Sequence, residues 1–164
     1  KRDWSSDVCS SDLNTGQRLT CESIDFVNNK INTELNVNEQ HICLSDTDSM
    51  FIVLGNLLKH RYPNISHEEK NAKILELAIE IQNEANADLN RICKNLFNIP
   101  PNTHYFQLKQ EVICTGLLTT GKRRYAMYVT NKEGVAVEEL DMKGLELMKS
   151  NMNKLFKKIG RAHV

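Results

Sequence analysis

The sequence is poor in the residues that punctuate or staple a chain. Three prolines and seven glycines in 164 residues leave no collagen-like, linker-like or low-complexity stretch. The five cysteines (Cys9, Cys21, Cys43, Cys93, Cys114) include no C-x-x-C and no paired histidine spacing. That pattern argues against structural zinc and makes free thiols in a reducing compartment the expectation. Net charge is also lacking, with 21 basic residues against 21 acidic ones, so any contact with nucleic acid has to come from local clusters. No apolar run approaches the roughly 20 residues of a membrane span, and no signal-peptide pattern opens the chain. A cytoplasmic protein with no membrane partner is expected. No internal repeat is visible, and the length suffices for one domain with a real core.

The two ends do not read as protein. Lys1 to Leu13, KRDWSSDVCSSDL, has no apolar period and resembles a translated sequencing-library adapter. Asp7 to Leu13 can be written GAC GTG TGC TCT TCC GAT CT. The reverse complement, after one partial codon, encodes Ile-Gly-Arg-Ala-His-Val, which is Ile159 to Val164 as they stand. Reverse-complementary ends are what an adapter ligated to both sides of a DNA insert gives. Residues 1–13, with the single tryptophan Trp4, and residues 159–164 are therefore set apart from the fold, the first expected to be disordered. The remainder, residues 14–158, is expected to be cut at both sides. The ends hold three charges of each sign (Lys1, Arg2, Arg161; Asp3, Asp7, Asp12), so the balance persists without them.

Within the insert, helical and extended patterns alternate in the manner of an α+β fold. Leu19, Ile24, Val27, Ile31 and Leu35 recur at helical steps and predict a helix over 15–35, with Asn28, Asn29, Asn32 and Asn36 on a solvated side. Residues 40–44 and 50–54 are short apolar runs joined by polar turn residues, a β-hairpin pattern. Residues 55–66 read as a connection. Ser66 then stands before Glu68 and Glu69 as an N-cap with acidic first-turn residues. Ile74, Leu77, Ala78, Ile81, Ala85, Leu89, Ile92, Cys93 and Leu96 form the longest helical stripe in the chain, ending before Pro100-Pro101. Its ordinary role is to face a core. Residues 105–118 look extended, Thr119-Thr120-Gly121 breaks them, and 122–129 resume as a strand. Asn131-Lys132-Glu133-Gly134 signals a turn, Val135-Ala136-Val137 closes a meander, and a last helix starts at Asp141 or Met142.

Two segments carry chemistry. In Leu44-Ser45-Asp46-Thr47-Asp48-Ser49-Met50 two carboxylates stand one residue apart between apolar flanks. In an extended segment residues i and i+2 face the same way, so Asp46 and Asp48 can aim at one point. Holding two carboxylates together is costly unless a cation lies between them, and hard divalent ions suit oxygen ligands. A D-x-D alone is more often a solvated turn; the apolar flanks strengthen the metal reading. The second segment, Lys122-Arg123-Arg124-Tyr125, sets a basic cluster beside an aromatic. A solvated edge strand explains it blandly; contact with a nucleic-acid backbone explains it functionally.

Taken in order, these segments resemble the family B DNA-directed DNA polymerases. Asp46-Thr47-Asp48-Ser49 is similar to that family's motif C in the palm. Residues 119–126, TTGKRRYA, resemble its T-G-K-K-R-Y-A segment near the primer end of the duplex. Lys143-Gly144-Leu145-Glu146 resembles the K-G-x-E that opens the thumb, and Thr15-Gly16-Gln17-Arg18-Leu19 the start of the helix after the fingers. The resemblance implies a palm fragment over 14–140 and the start of a thumb over 141–158. It implies Asp48 as the carboxylate bridging two catalytic metals and Asp46 as its companion. Glu111 would be an acidic residue facing the metals, and Lys122, Arg123, Arg124, Tyr125 and Lys143 would contact DNA. Two Mg²⁺ ions (or Mn²⁺) are the implied cofactors. Primer-template DNA, a deoxynucleoside triphosphate and a processivity factor acting on the full-length protein are the implied partners. The sequence departs from the family pattern at Leu44 (Tyr is common), Ser45 (Gly), Arg123 (Lys) and after Glu146, where a basic pair is missing.

The implied reaction is nucleotidyl transfer from a triphosphate to a primer 3′-hydroxyl. The partner carboxylate strand, the triphosphate-gripping lysine and the exonuclease would precede residue 14, so the chain by itself is expected to be inactive. Two other readings remain open. A haloacid dehalogenase-type phosphatase would use Asp46 as nucleophile, but it wants Thr or Val at position 50 and a parallel sheet thereafter. A non-catalytic DNA-binding module would keep the acids as vestiges. An EF-hand fails, with Phe51 at the loop's sixth position and Leu57 at its twelfth.

Overall fold

Local capping and apolar periodicity account for most of the first half of the chain. The structure is a computed structural model that describes residues 4–121 and 123–144, and within them all side chains except those of 4–13, 67 and 68. It is an α+β arrangement in two units, residues 1–110 and 111–164. The element order is α1 (Trp4–Leu35), β1 (Ile42–Asp46), β2 (Ser49–Ile52), α2 (Gly55–Arg61), α3 (His67–Phe97), β3 (Val112–Gly121), β4 (Arg124–Lys132) and β5 (Val135–Lys143). All ladders are antiparallel: a two-stranded hairpin, β1-β2, in the first unit and a meander, β3-β4-β5, in the second.

α3 starts where its sequence says. Ser66 accepts from the Glu69 amide, and the Glu69 carboxylate receives the Ser66 amide, a closed capping box. It ends at Asn98, which takes a left-handed conformation and donates to the Cys93 and Lys94 carbonyls. The apolar stripe does what its period requires: Leu77, Ile81, Ala85, Leu89, Ile92 and Cys93 are all buried. Its first half packs with Val27, Ile31, Leu57 and Leu58, and its second half with Leu19.

Three elements of this unit differ from the sequence reading. α1 extends back to Trp4 rather than opening near Thr15, so part of the segment set apart as an adapter is helical in its backbone. Residues 55–61 form α2 and not a connection; seven residues are too few for a periodic signal, yet Leu57 and Leu58 are core. The expected extension at 105–108 joins no sheet. The side chains of α3 take its backbone groups instead. The Leu108 amide donates to Asn86 Oδ1 (2.7 Å), and Asn86 Nδ2 donates to the Leu108 carbonyl (2.8 Å). The Gln110 amide donates to Gln82 Oε1 (2.6 Å) and the Asn102 amide to Asn90 Oδ1 (2.7 Å). Gln82, Asn86 and Asn90 lie four apart on one helix face and supply the partners that a neighbouring strand would have supplied.

Arg61, at the end of α2, ties three helices. It pairs with Glu34 of α1 and with Glu80 of α3. The Arg61 guanidinium holds both carboxyls below the usual carboxylate range, chiefly by hydrogen bonding, against the opposing effect of burial. A folded-state pKa below the unfolded value means the unfolded chain binds more protons in that window. The contribution is then complete above about pH 4.3, the unfolded glutamate value, and is lost as pH falls through the folded values. Arg61→Met should therefore lower the urea midpoint at neutral pH and flatten its dependence between about pH 5 and 3. Equal acid sensitivity in both proteins would count against this.

In the second unit the Glu133-Gly134 turn joins β4 to β5 with both residues at positive φ (50° and 89°), the conformation that a tight two-residue hairpin requires. Here too the structure corrects the sequence reading. β3 runs through Thr119-Thr120-Gly121 rather than breaking there; Gly121 pairs with Arg124, and Arg123 before it has φ 59°. Asp141 and Met142 belong to β5, not to a helix. Residues 145–158 of the expected thumb helix lie outside the described residues.

Candidate functional site: the acid hairpin and the basic strand pair

The hairpin is anchored at its base by α1. The His41 amide donates to Asn28 Oδ1 (2.8 Å), and the His41 carbonyl accepts from the Val53 amide (2.7 Å). Asn32 receives the Glu39 amide on Oδ1 and donates Nδ2 to the Glu39 carbonyl, both at 3.0 Å. That pair fixes the amide's orientation, so His41 Nε2, 3.0 Å from Oδ1, is the donor. Asn28 and His41 are buried. Asn28 is thus buried rather than on the solvated side its composition suggests, and Asn32 is half-buried, whereas Asn29 and Asn36 are exposed. The i, i+4 spacing of Asn28 and Asn32 aims two amides at the chain entering β1.

Ile42, Met50 and Ile52 pack against the first core cluster. The hairpin is half-buried, and its tip is exposed at Asp46 and Asp48. The register pairs Asp46 with Ser49 and Ser45 with Met50, leaving Thr47-Asp48 as a two-residue turn. This changes the argument for the acid pair. Asp46 ends a strand while Asp48 occupies the turn, so strand alternation does not govern their relative direction. What relates them is Thr47. Its amide donates to Asp46 Oδ1 (2.9 Å), a bond between adjacent residues that restrains the Asp46 side chain, and its carbonyl accepts from Thr20 Oγ1 of α1 (3.0 Å). A Cβ at Gly16 would stand 3.7 Å from that carbonyl, so the helix backbone passes close to the tip.

The second unit assembles Tyr125 and Lys143 directly. They are cross-strand neighbours, with Lys143 Nζ 5.8 Å from the centre of the Tyr125 ring, within cation–π range. The Tyr125 hydroxyl, by hydrogen bonding and then by charge, raises the Lys143 pKa; Asp141 and Glu111 add smaller attractions, and burial opposes. Alternation along β4 puts Tyr125 on the face of the buried Met127 and Val129 and gives Arg124 the opposite face, with Ala126 and Tyr128. The basic run is thus divided between two faces and a turn. Lys122 lies outside the described residues, and Arg123 occupies the turn at positive φ. Glu111 opens the second unit; its carbonyl accepts from the Glu133 amide (2.7 Å).

Asp46 and Asp48 offer hard oxygen donors of the kind magnesium or manganese takes. Two carboxylates cover part of a six-oxygen shell, and water, phosphate oxygens and further acids would complete it. Among the described residues no group of three or more His, Cys, Asp or Glu is arranged to hold a metal. Thr20, Asn28, Asn32 and His41 all hold the hairpin, yet none shows in the sequence as a functional signal. Only the i, i+4 step of the two asparagines could have hinted at it. Among the described residues no helix is long and apolar enough to cross a membrane. Comparison with protein-family models finds no match, and comparison with curated proteins finds none.

Proposed function

We propose that the chain is a palm fragment of a DNA-directed DNA polymerase of the family B type, catalysing nucleotidyl transfer from deoxynucleoside triphosphates to a primer 3′-hydroxyl in its full-length form. The carrying observation is the Asp46-Thr47-Asp48 tip, which projects two exposed carboxylates from a hairpin fixed to α1 at both its base and its turn. In this reading Asp48 and Asp46 hold the metal ions, and Lys143 and Arg123 meet backbone phosphates as fixed positive charges. Bound metal supplies activation of the 3′-hydroxyl and neutralisation of the departing pyrophosphate. The chain alone remains inactive, because a single acid pair does not complete the site.

The phosphatase reading loses support from the topology. It needs a parallel sheet after the acid motif, and among the described residues every ladder is antiparallel. The non-catalytic DNA-binding reading differs in metal binding. Titrating ¹⁵N-labelled protein with Mn²⁺ should broaden the amides of residues 46–49 saturably, and Asp48→Asn should raise the midpoint about tenfold or more. Wild-type protein without saturable broadening at these amides would leave the acids as vestiges and sink the polymerase reading of this hairpin.

A further inference from the structure

The inner face of α1 changes character along its length. Val27 and Ile31, facing the core, are large and fully buried, whereas Gly16, Thr20 and Ser23, one to three turns earlier, are small. Small residues let the hairpin tip approach the helix, and the approach is seen: the Gly16 Cβ position is 3.7 Å from the Thr47 carbonyl oxygen and 3.9 Å from Thr47 Cγ2. Thr20 is 7% exposed, so its hydroxyl is largely removed from water. The hydroxyl finds its partner 27 residues along the chain, donating to the Thr47 carbonyl at 3.0 Å. In the preceding peptide unit, the Thr47 amide donates to Asp46 Oδ1 at 2.9 Å. Thr47 is half-buried between two exposed aspartates.

From this we propose that Thr20 is a positioning residue for the Asp46–Asp48 acid pair. It touches neither metal nor substrate. Its bond fixes the Thr47 carbonyl, which orients the turn holding Asp48 and, through the Thr47 amide, the rotamer of Asp46. A two-stranded hairpin has little stability by itself, and the Thr20 bond is the one that ties the carbonyl of its exposed turn to a neighbouring helix. A hydroxyl bonded in a desolvated contact supplies that hold at the one residue common to both acids. The inference rests on the reading of Asp46 and Asp48 as metal ligands and adds to it the group that keeps them in register. The sequence signal is slight, because Thr20 is a polar residue at a core-facing position of α1 and nothing local identifies its partner.

The test uses the whole chain and Mn²⁺ alone as the probe. Thr20→Val removes the hydroxyl at nearly constant volume, and Thr20→Ser keeps it. Mn²⁺-dependent broadening of the 46–49 amides should need about tenfold more metal in Thr20→Val and stay within about twofold of wild type in Thr20→Ser. Serine rescue separates the hydrogen bond from packing, since serine loses the methyl and keeps the bond. Amide exchange at Thr47 and Asp48 without metal should quicken in the valine variant and not in the serine variant. If Thr20→Val does not fold, Thr20→Ala, which adds no bulk, makes the same comparison. Equal midpoints and equal exchange in wild type and Thr20→Val, with Asp48→Asn still impaired, would overturn the positioning role and leave the metal reading standing. Absence of any wild-type Mn²⁺ effect would overturn the metal reading and the role proposed for Thr20 with it.

Discussion

Gly144→Ala should destabilise the second unit by about 2–4 kcal/mol. Gly144 has φ 64°, where an L side chain costs about 1–2 kcal/mol. It also has no room: a Cβ there would overlap the Arg123 carbonyl oxygen and stand 3.2 Å from the Arg123 carbonyl carbon. The end of β5 passes over the backbone of the β3–β4 turn, and only a residue without a side chain lets it pass. The obstacle is backbone rather than the end of a flexible side chain, so the strain cannot be relieved by a rotamer change. The loss should be read from amide exchange across β4, residues 125–129, with Gly134→Asn as comparison. Gly134 also has positive φ (89°) but nothing within 4 Å of a Cβ, and asparagine tolerates that conformation, so about 1 kcal/mol or less is expected there. Similar costs at both positions would show that conformation, not close approach, is what matters at Gly144. Because Gly144 follows Lys143 and abuts Arg123, the same variant should disturb the basic residues assigned to DNA.

Leu77→Ala should cost the first unit about 3 kcal/mol. Leu77 is 1% exposed and lies in the cluster with Val27, Ile31, Leu57, Leu58, Ile81 and Ala85. Removing its isobutyl group forfeits apolar transfer and leaves a cavity among residues of three helices, which cannot collapse without shifting α1 or α2. Urea unfolding followed by far-ultraviolet circular dichroism would measure it. A loss under about 1 kcal/mol would mean that the helices repack freely. Leu77→Met, close to volume-conserving, should cost under about 1.5 kcal/mol.

These two positions mark the boundary between what could and could not be read in advance. Leu77 belongs to a stripe with a period of three and four residues, and a helix that long can bury such a stripe in only one direction. The Ser66–Glu69 cap and the Glu133-Gly134 turn were legible for the same reason: each is a contract between residues a few positions apart. The D-x-D hairpin was legible as a hairpin, with Asp48 in its turn, though Asp46 proved to end β1. Strand alternation therefore does not align the two acids; Thr47, bonded to Asp46 on one side and to Thr20 on the other, relates them.

Gly144 is different, since nothing around it in the chain announces Arg123 as its neighbour. The same holds for Asn86, whose amide takes both backbone groups of Leu108 and so keeps an apparently strand-forming segment out of any sheet. It holds for Asn28 and Asn32, polar by composition and yet essential to the entry of β1. The sequence by itself determined α3 and its cap, the later part of α1, the β1-β2 hairpin and the Glu133-Gly134 turn, because periodicity and capping act within a few residues. Tertiary structure alone decided which polar side chains face inward, where a glycine is indispensable and what holds the acid turn. Those outcomes depend on pairs of groups that meet only after the chain has folded: Thr20 with Thr47, Asn28 with His41, Asn86 with Leu108 and Arg123 with Gly144.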